Sequence, residues 1–261
     1  MPSSVHHAAR DGFQVAADTY ARGRPDYPDA LRGWLDKALA LDATRTVLDL
    51  GAGTGKFTRL LRDTGARVIA VEPVAAMREA LQHRLPGVST LDGTAQTLPL
   101  EAESVDAVVC AQAFHWFADH AALREIHRVL RPDGMLGLIW NVRDESLDWV
   151  AAITRLISPY EGDAPRYHTG RWRTAFDQAD FGPLEETVFE HAHIGTPEQV
   201  IVDRFLSVSF IAALPTAEQA EVARQLRALI AEHPALRGRQ TLSFPYRTHA
   251  FRARRLPHPA R

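Results

Sequence analysis

The sequence predicts an α/β fold built on a doubly wound, largely parallel sheet. From Thr46 onward, short β-branched and aliphatic segments alternate with stretches of helical periodicity. A glycine-rich turn joins the first such strand to the first such helix. Val105–Cys110 is apolar almost throughout, as a strand covered on both faces must be.

Each element has its own signal. Up to about Ala40 the chain reads as helical pieces broken at Gly23, Pro25 and Pro28, with Leu31, Trp34, Leu35 and Leu39 on one helix face. Thr46–Leu50 is the first strand, and Phe57, Leu60 and Leu61 form a helix stripe stopped by Gly65. Arg67–Val71 is the second strand. Met77, Leu81 and Leu85 give a helix ending at Pro86 and Gly87, and Val88–Leu91 is a brief third strand. Val105–Cys110 is the fourth, followed by a helix marked by Leu123, Ile126 and Leu130. Pro132 and Gly134 then turn the chain into Met135–Trp140, the fifth. Strands and helices in this order imply right-handed crossovers.

After Asn141 the rhythm changes. Leu147, Val150, Ala151, Thr154 and Ile157 predict a helix, followed by a polar and aromatic loop holding Pro159, Gly162 and Pro165. Thr196-Pro197-Glu198-Gln199 and Thr216-Ala217-Glu218-Gln219 both match a capping box, so each is expected to open a helix. Thr187–Ile194 and Thr241–Arg252 alternate as strands do and suit an antiparallel pair at the sheet edge. One domain is expected over 1–261, with a helical cap at 1–42, a core at 43–141 and a substrate-side portion at 142–261.

Composition narrows the function. A formal charge of -2 among 261 residues gives no reason to expect a nucleic-acid or membrane-surface binder. The single Cys110 excludes an intrachain disulfide, and no cationic segment leads into an apolar stretch at the start, so a cytoplasmic protein is expected. No Cys/His cluster has metal-ligand spacing, and no metal is expected.

The most informative stretch is Val47-Leu48-Asp49-Leu50-Gly51-Ala52-Gly53-Thr54-Gly55-Lys56-Phe57. In a doubly wound sheet this turn faces the ligand crevice, where glycine lets backbone approach a ligand without an intervening Cβ. A nucleoside-triphosphate loop of the Walker type needs Gly at 50 and Ser or Thr at 57, but Leu50 and Phe57 stand there. The dinucleotide pattern GxGxxG needs Gly at 56, where the residue is Lys56. What remains is DxGxGxG, a loop that wraps the methionine part of S-adenosylmethionine, with Asp49 near the ligand's ammonium group. Glu72 ends the second strand, where an acid can accept hydrogen bonds from both ribose hydroxyls; nicotinamide enzymes use an acid there too.

Val47–Phe57, Val71-Glu72-Pro73, Asp106–Phe117 and Arg128-Val129-Leu130-Arg131-Pro132-Asp133-Gly134 together resemble the class I S-adenosylmethionine-dependent methyltransferases, of the methyltransferase type 11 superfamily. Tyr20–Pro28, Ala111–Phe117 and Pro245-Tyr246-Arg247-Thr248 are similar to the branch holding trans-aconitate and cantharidin methyltransferase-like proteins. The resemblance implies a Rossmann-like seven-stranded sheet of order 3-2-1-4-5-7-6 with the last pair antiparallel, an N-terminal helical cap and a helical insertion after strand 5. It also implies S-adenosyl-L-methionine as cofactor and a small-molecule acceptor.

Under that resemblance the cofactor contacts are Asp49, Gly51, Ala52, Gly53, Thr54, Gly55, Glu72, Pro73, Thr94, Ala95, Gln112 and Phe114, with Tyr20 and Arg24 reaching in from the cap. Many relatives carry Asp where Thr94 stands, so either its hydroxyl or the neighbouring Asp92 is the candidate partner of adenine. His115 is the candidate catalytic group, as a base toward a hydroxyl or amine or as a shaper of the substrate pocket. Phe114 and Trp116 either border the pocket or belong to the core. Trp116, Arg143, Tyr167 and Trp172 are candidate acceptor contacts, and Arg166, His168 and Arg171 share their loop. The leading expectation is O-methylation of a carboxylate or hydroxyl on a small molecule. Methylation of nitrogen, carbon or a macromolecule, and binding of the cofactor without catalysis, are the alternatives.

Overall fold

The strands pair in the order β3-β2-β1-β4-β5-β7-β6 in one seven-stranded sheet. They are β1 (Thr46–Leu50), β2 (Arg67–Val71), β3 (Ser89–Leu91), β4 (Val105–Ala111), β5 (Leu130–Arg143), β6 (Glu185–Gly195) and β7 (Leu242–Arg254). The computed structural model describes residues 24–177 and 179–257. The first five strands are parallel, and β7 runs antiparallel to both β5 and β6. Strand order reverses at β1, which has β2 on one side and β4 on the other, and a ligand crevice opens at the carboxyl ends of these strands.

Helices α1 (Ala30–Leu39), α2 (Lys56–Arg62) and α3 (Ala75–Arg84) cover one face; α4 (His120–Val129) covers the other. Alternation along β1 sorts its side chains. Val47 packs with Leu31, Leu35, Phe57 and Leu61, while Leu48 and Leu50 pack with Leu123, Ile126 and Val129. A separate core forms where α5 (Asp148–Ile157) and the helices between β6 and β7 close over Leu242, Phe244 and Tyr246. Those helices are a π-type run at Glu198–Asp203 continuing into α6 (Arg204–Leu206), then α7 (Ser209–Ala212) and α8 (Thr216–Glu232). Phe205 and Phe244 are fully buried there, each worth about 1.5–3 kcal/mol of transfer free energy.

Several sequence expectations change in detail. Leu130 belongs to β5 rather than to the preceding helix, and Pro132–Gly134 form a bulge in that strand: Val105 pairs with Leu130 but Ala107 pairs with Met135. On α5 the buried face is Trp149, Val150, Ile153 and Ile157; Leu147 stays exposed before the helix and Thr154 turns to Glu145. The first capping box closes, with Gln199 N–H donating to Thr196 Oγ1 and Thr196 N–H to Gln199 Oε1. The second does not. Thr216 is already helical, and Gln219 Nε2 donates instead to the carbonyls of Ala212 and Leu214, satisfying the end of α7.

Candidate functional site

A cavity of about 280 Å³ occupies the crevice at the ends of β1, β2 and β4. Its floor is the glycine loop. Gly51, Gly53 and Gly55 all hold positive φ (73°, 57° and 83°), a conformation that L side chains resist. A Cβ on Gly51 would stand 2.7 Å from that of Ala113, so the turn after β4 and the loop touch only because position 51 has no side chain. A Cβ on Gly53 would meet nothing nearer than Met77 Sδ at 3.7 Å, so the space above that peptide is open to a ligand.

Glu72 ties the loop to the next helix. Its Oε2 accepts from Gly53 N–H and its Oε1 from Val74 N–H, both at 2.9 Å. A carboxylate has about four lone-pair sites, so about two remain for a ligand. Burial raises its pKa against these two amide bonds, which lower it. Asp49 lies below the loop with Thr58 Oγ1 donating to Oδ2 at 2.6 Å, while Oδ1 is buried with no hydrogen-bond partner among the described residues. Burial pushes the Asp49 pKa up to about 7. Thr54 Oγ1 is a second buried polar atom without a hydrogen-bond partner among the described residues, and Asp49 and Thr54 both line the cavity. Such orphans are rare in native proteins and point to a polar ligand.

A smaller cavity of about 120 Å³ adjoins the first, and Arg24, Gln112, Trp116, Asn141 and Arg204 form walls of both. The partition is pinned from three sides. Lys56 Nζ donates to the Arg24 carbonyl and pairs with Asp26 at 3.3 Å. Asn141 Nδ2 donates to the Asp26 carbonyl at 3.0 Å. Thr248 Oγ1 donates to Asn141 Oδ1 at 2.6 Å across the β5–β7 ladder.

His115 lines the second cavity. Trp140 Nε1–H donates to its Nδ1 at 3.0 Å, so the neutral ring carries its proton on Nε2. Burial, with Arg166 and Arg24 nearby, drives its pKa down to about 3, and the ring is neutral at physiological pH. With Nδ1 engaged by Trp140, Nε2–H is the group that the neutral ring has left to offer as a hydrogen-bond donor.

Known proteins are similar to this chain in sequence and in fold. A methyltransferase domain model matches residues 48–138. The chain is 36% identical over 246 residues to an uncharacterized methyltransferase-like protein of Schizosaccharomyces pombe, covering 94% of this chain and 96% of that one. It is 40% identical over 241 residues to an uncharacterized methyltransferase of Mycobacterium bovis, covering 92% and 94%. The chain belongs to the class I S-adenosylmethionine-dependent methyltransferases. The fold of this methyltransferase is also that of the YcgJ protein of Bacillus subtilis, at a TM-score of 0.56 and 21% identity, covering 88% of this chain and 100% of that one.

Most of the cofactor contacts expected from the methyltransferase motifs line the larger cavity: Arg24, Asp49, Gly51, Ala52, Gly53, Thr54, Glu72, Pro73, Thr94, Ala95 and Gln112. Tyr20 lies outside the described residues. Gly55 is not on the wall; it caps α2 and abuts Leu81. Phe114 is fully buried against Phe117, Trp172 and Phe176, and the cavity is bordered instead by Trp116 and Phe117. Asp92 is held by Arg78 at 3.1 Å and does not reach the wall, whereas Thr94 does.

Of the expected acceptor contacts, His115, Trp116, Arg143 and Tyr167 line the smaller cavity, with Arg166 and His168. Trp172 does not. It is 3% exposed and packs 4.7 Å from the Trp140 ring with Arg173 over its face, supporting the wall from behind. Arg171 is also off the wall. Sequence reasoning left out Lys56, Asn141 and Arg204. Lys56 was visible within the glycine loop, and Asn141 at the end of β5, but Arg204 carries no local signal.

Among the described residues no helix is long and apolar enough to cross a membrane, and no group of side chains has the makings of a metal site.

Proposed function

We propose that this methyltransferase methylates a small molecule at oxygen, on a carboxylate or hydroxyl, seated in the smaller cavity against Trp116, His115 and Arg143. The observation that carries the reading is the shared partition: a polar, arginine-lined space lies against the candidate cofactor crevice, with Gln112, Trp116 and Asn141 in the walls of both. S-adenosylmethionine, when bound, supplies a methyl group already activated on a sulfonium. Glu72 offers its remaining lone pairs to the ribose hydroxyls, and the orphaned Asp49 Oδ1 takes an N–H of the ammonium group. Thr94 and Ala95 lie on the same wall for the adenine.

The protein's remaining work is alignment in a confined space, a contribution that reaches roughly 7–11 kcal/mol in well-oriented reactions. His115 contributes by donating Nε2–H to the acceptor and fixing its orientation. With His115 unable to serve as a base, an acceptor that arrives ionised is favoured, and carboxylates are ionised above about pH 4.3.

The test is a screen of polycarboxylates, phenols and amines with methyl-labelled cofactor, the product identified by mass, followed by a pH–rate profile on the best acceptor. A methyl ester is expected, with no inflection near pH 6.5 because His115 does not titrate there. Methylation confined to amines, or a rate that rises through a pKa near 6.5 and is flattened by His115→Gln, would contradict the reading.

A further inference from the structure

Arg204 is 7% exposed, yet it stands on the walls of both cavities. The register of the edge strands aims it. Tyr246 of β7 lies opposite Arg143 of β5, and its hydroxyl accepts from Arg204 Nε at 3.2 Å. The Phe205 ring lies 5.7 Å from Cζ. Nη1 is buried and has no hydrogen-bond partner among the described residues. The neighbouring arginines differ. Arg143 Nε lies 3.8 Å from Glu145, and Arg166 Nε lies 2.6 Å from Glu161, an ion pair whose angle misses hydrogen-bond geometry. Among the described residues no carboxylate pairs with Arg204. Arg166 feels the charges of Arg24, Arg143 and Arg204, and Arg143 feels that of Arg204.

Burying a cation without a counter-charge is strongly unfavourable, and an unpartnered guanidinium N–H adds to the penalty. An anion brought by the ligand removes both. We infer that Arg204, with Arg143 beside it, holds a fixed oxyanion of the acceptor, separate from the oxygen that receives the methyl group. The separation follows from chemistry: an oxyanion gripped by a guanidinium fork has its charge and lone pairs engaged and is a poor nucleophile. The acceptor therefore carries two functional groups, one anchored and one reacting. This rests on the smaller cavity being the acceptor's seat, and Arg204 is its specificity-determining residue.

The experiment is calorimetric titration of the enzyme already saturated with S-adenosylhomocysteine, whose own binding, measured first, reports the cofactor crevice separately. The probes are glutarate, its neutral dimethyl ester, and phenyl phosphate. Glutarate or phenyl phosphate is expected to bind and the diester not to, and whichever binds identifies the anchored group as carboxylate or phosphate. Arg204→Met should weaken that probe at least about tenfold. Should Arg204→Met fail to fold, Arg204→Lys, which keeps the charge and loses the fork, should weaken it about threefold or more. Equal binding of the diester, no binding of either anion to a protein that binds S-adenosylhomocysteine, or an affinity unmoved by either substitution overturns the inference. A probe that binds through Arg204 but does not compete with the methyl acceptor overturns its assignment to that acceptor, leaving methyl transfer itself intact.

Discussion

Glu72→Ala is expected to weaken S-adenosylhomocysteine binding roughly 100-fold in a calorimetric titration. Charge-assisted hydrogen bonds contribute about 1.5–3 kcal/mol each, and two ribose hydroxyls on one carboxylate put the loss near 3 kcal/mol. The substitution also releases Gly53 N–H and Val74 N–H, so the loop loses the anchor that fixes its height over the crevice. Glu72→Gln separates the two effects. An amide keeps one acceptor oxygen but turns NH₂ toward one of those backbone donors, so an intermediate loss is expected. An affinity within about threefold of wild type for Glu72→Ala would remove the assigned contact.

Gly53→Val should abolish measurable cofactor binding while the protein still folds. At φ 57° a β-branched residue is strained by about 1–2 kcal/mol or more, a loss that a domain of this size survives with a melting temperature several degrees lower. The nearest protein atom to a Cβ at this position is 3.7 Å away, so the side chain has room, but the room it takes is the ligand's. Gly51→Val provides the contrast. There the Cβ meets Ala113 at 2.7 Å, and the expected result is a larger drop in thermal stability from prying the turn after β4 away from the loop. If Gly53→Val binds S-adenosylhomocysteine as the wild type does, the open space above that peptide is not the cofactor's.

The parts of the site that were legible are those whose signal is local. Asp49 through Thr54 and Glu72 follow from a strand, a glycine turn and a second strand within one βαβ unit, and such a unit has essentially one handedness and one crevice. The parts that were not legible depend on rotation or on distant register. Phe114 and Phe117 are three residues apart in a short 3₁₀ turn, and composition alone does not say that Phe114 turns into the core while Phe117 borders the cavity. Trp172 carries the same ambiguity, since an aromatic residue in a loop serves equally as wall or as backing. Arg204 comes from a helix distant in sequence and is tied to the site through Tyr246, which the pairing of β7 with β5 sets opposite Arg143. The second capping box failed for a related reason: Gln219 found two open carbonyls at the end of α7, a competition set by a neighbouring helix rather than by its own four residues. In the fold, alternation and apolar runs located all seven strands, whereas the bulge at Pro132–Gly134 was read as a turn because proline and glycine mark both.

The central claim is that the crevice over Gly53 holds the adenosyl cofactor, with Glu72 on the sugar and Asp49 toward the amino acid portion. A crystal structure of the protein with S-adenosylhomocysteine tests it directly. The account predicts both ribose hydroxyls within hydrogen-bond distance of the Glu72 carboxylate and the ligand's ammonium nitrogen at Asp49 Oδ1. A ligand lying outside this crevice, or inside it with the ribose turned away from Glu72, would contradict the account.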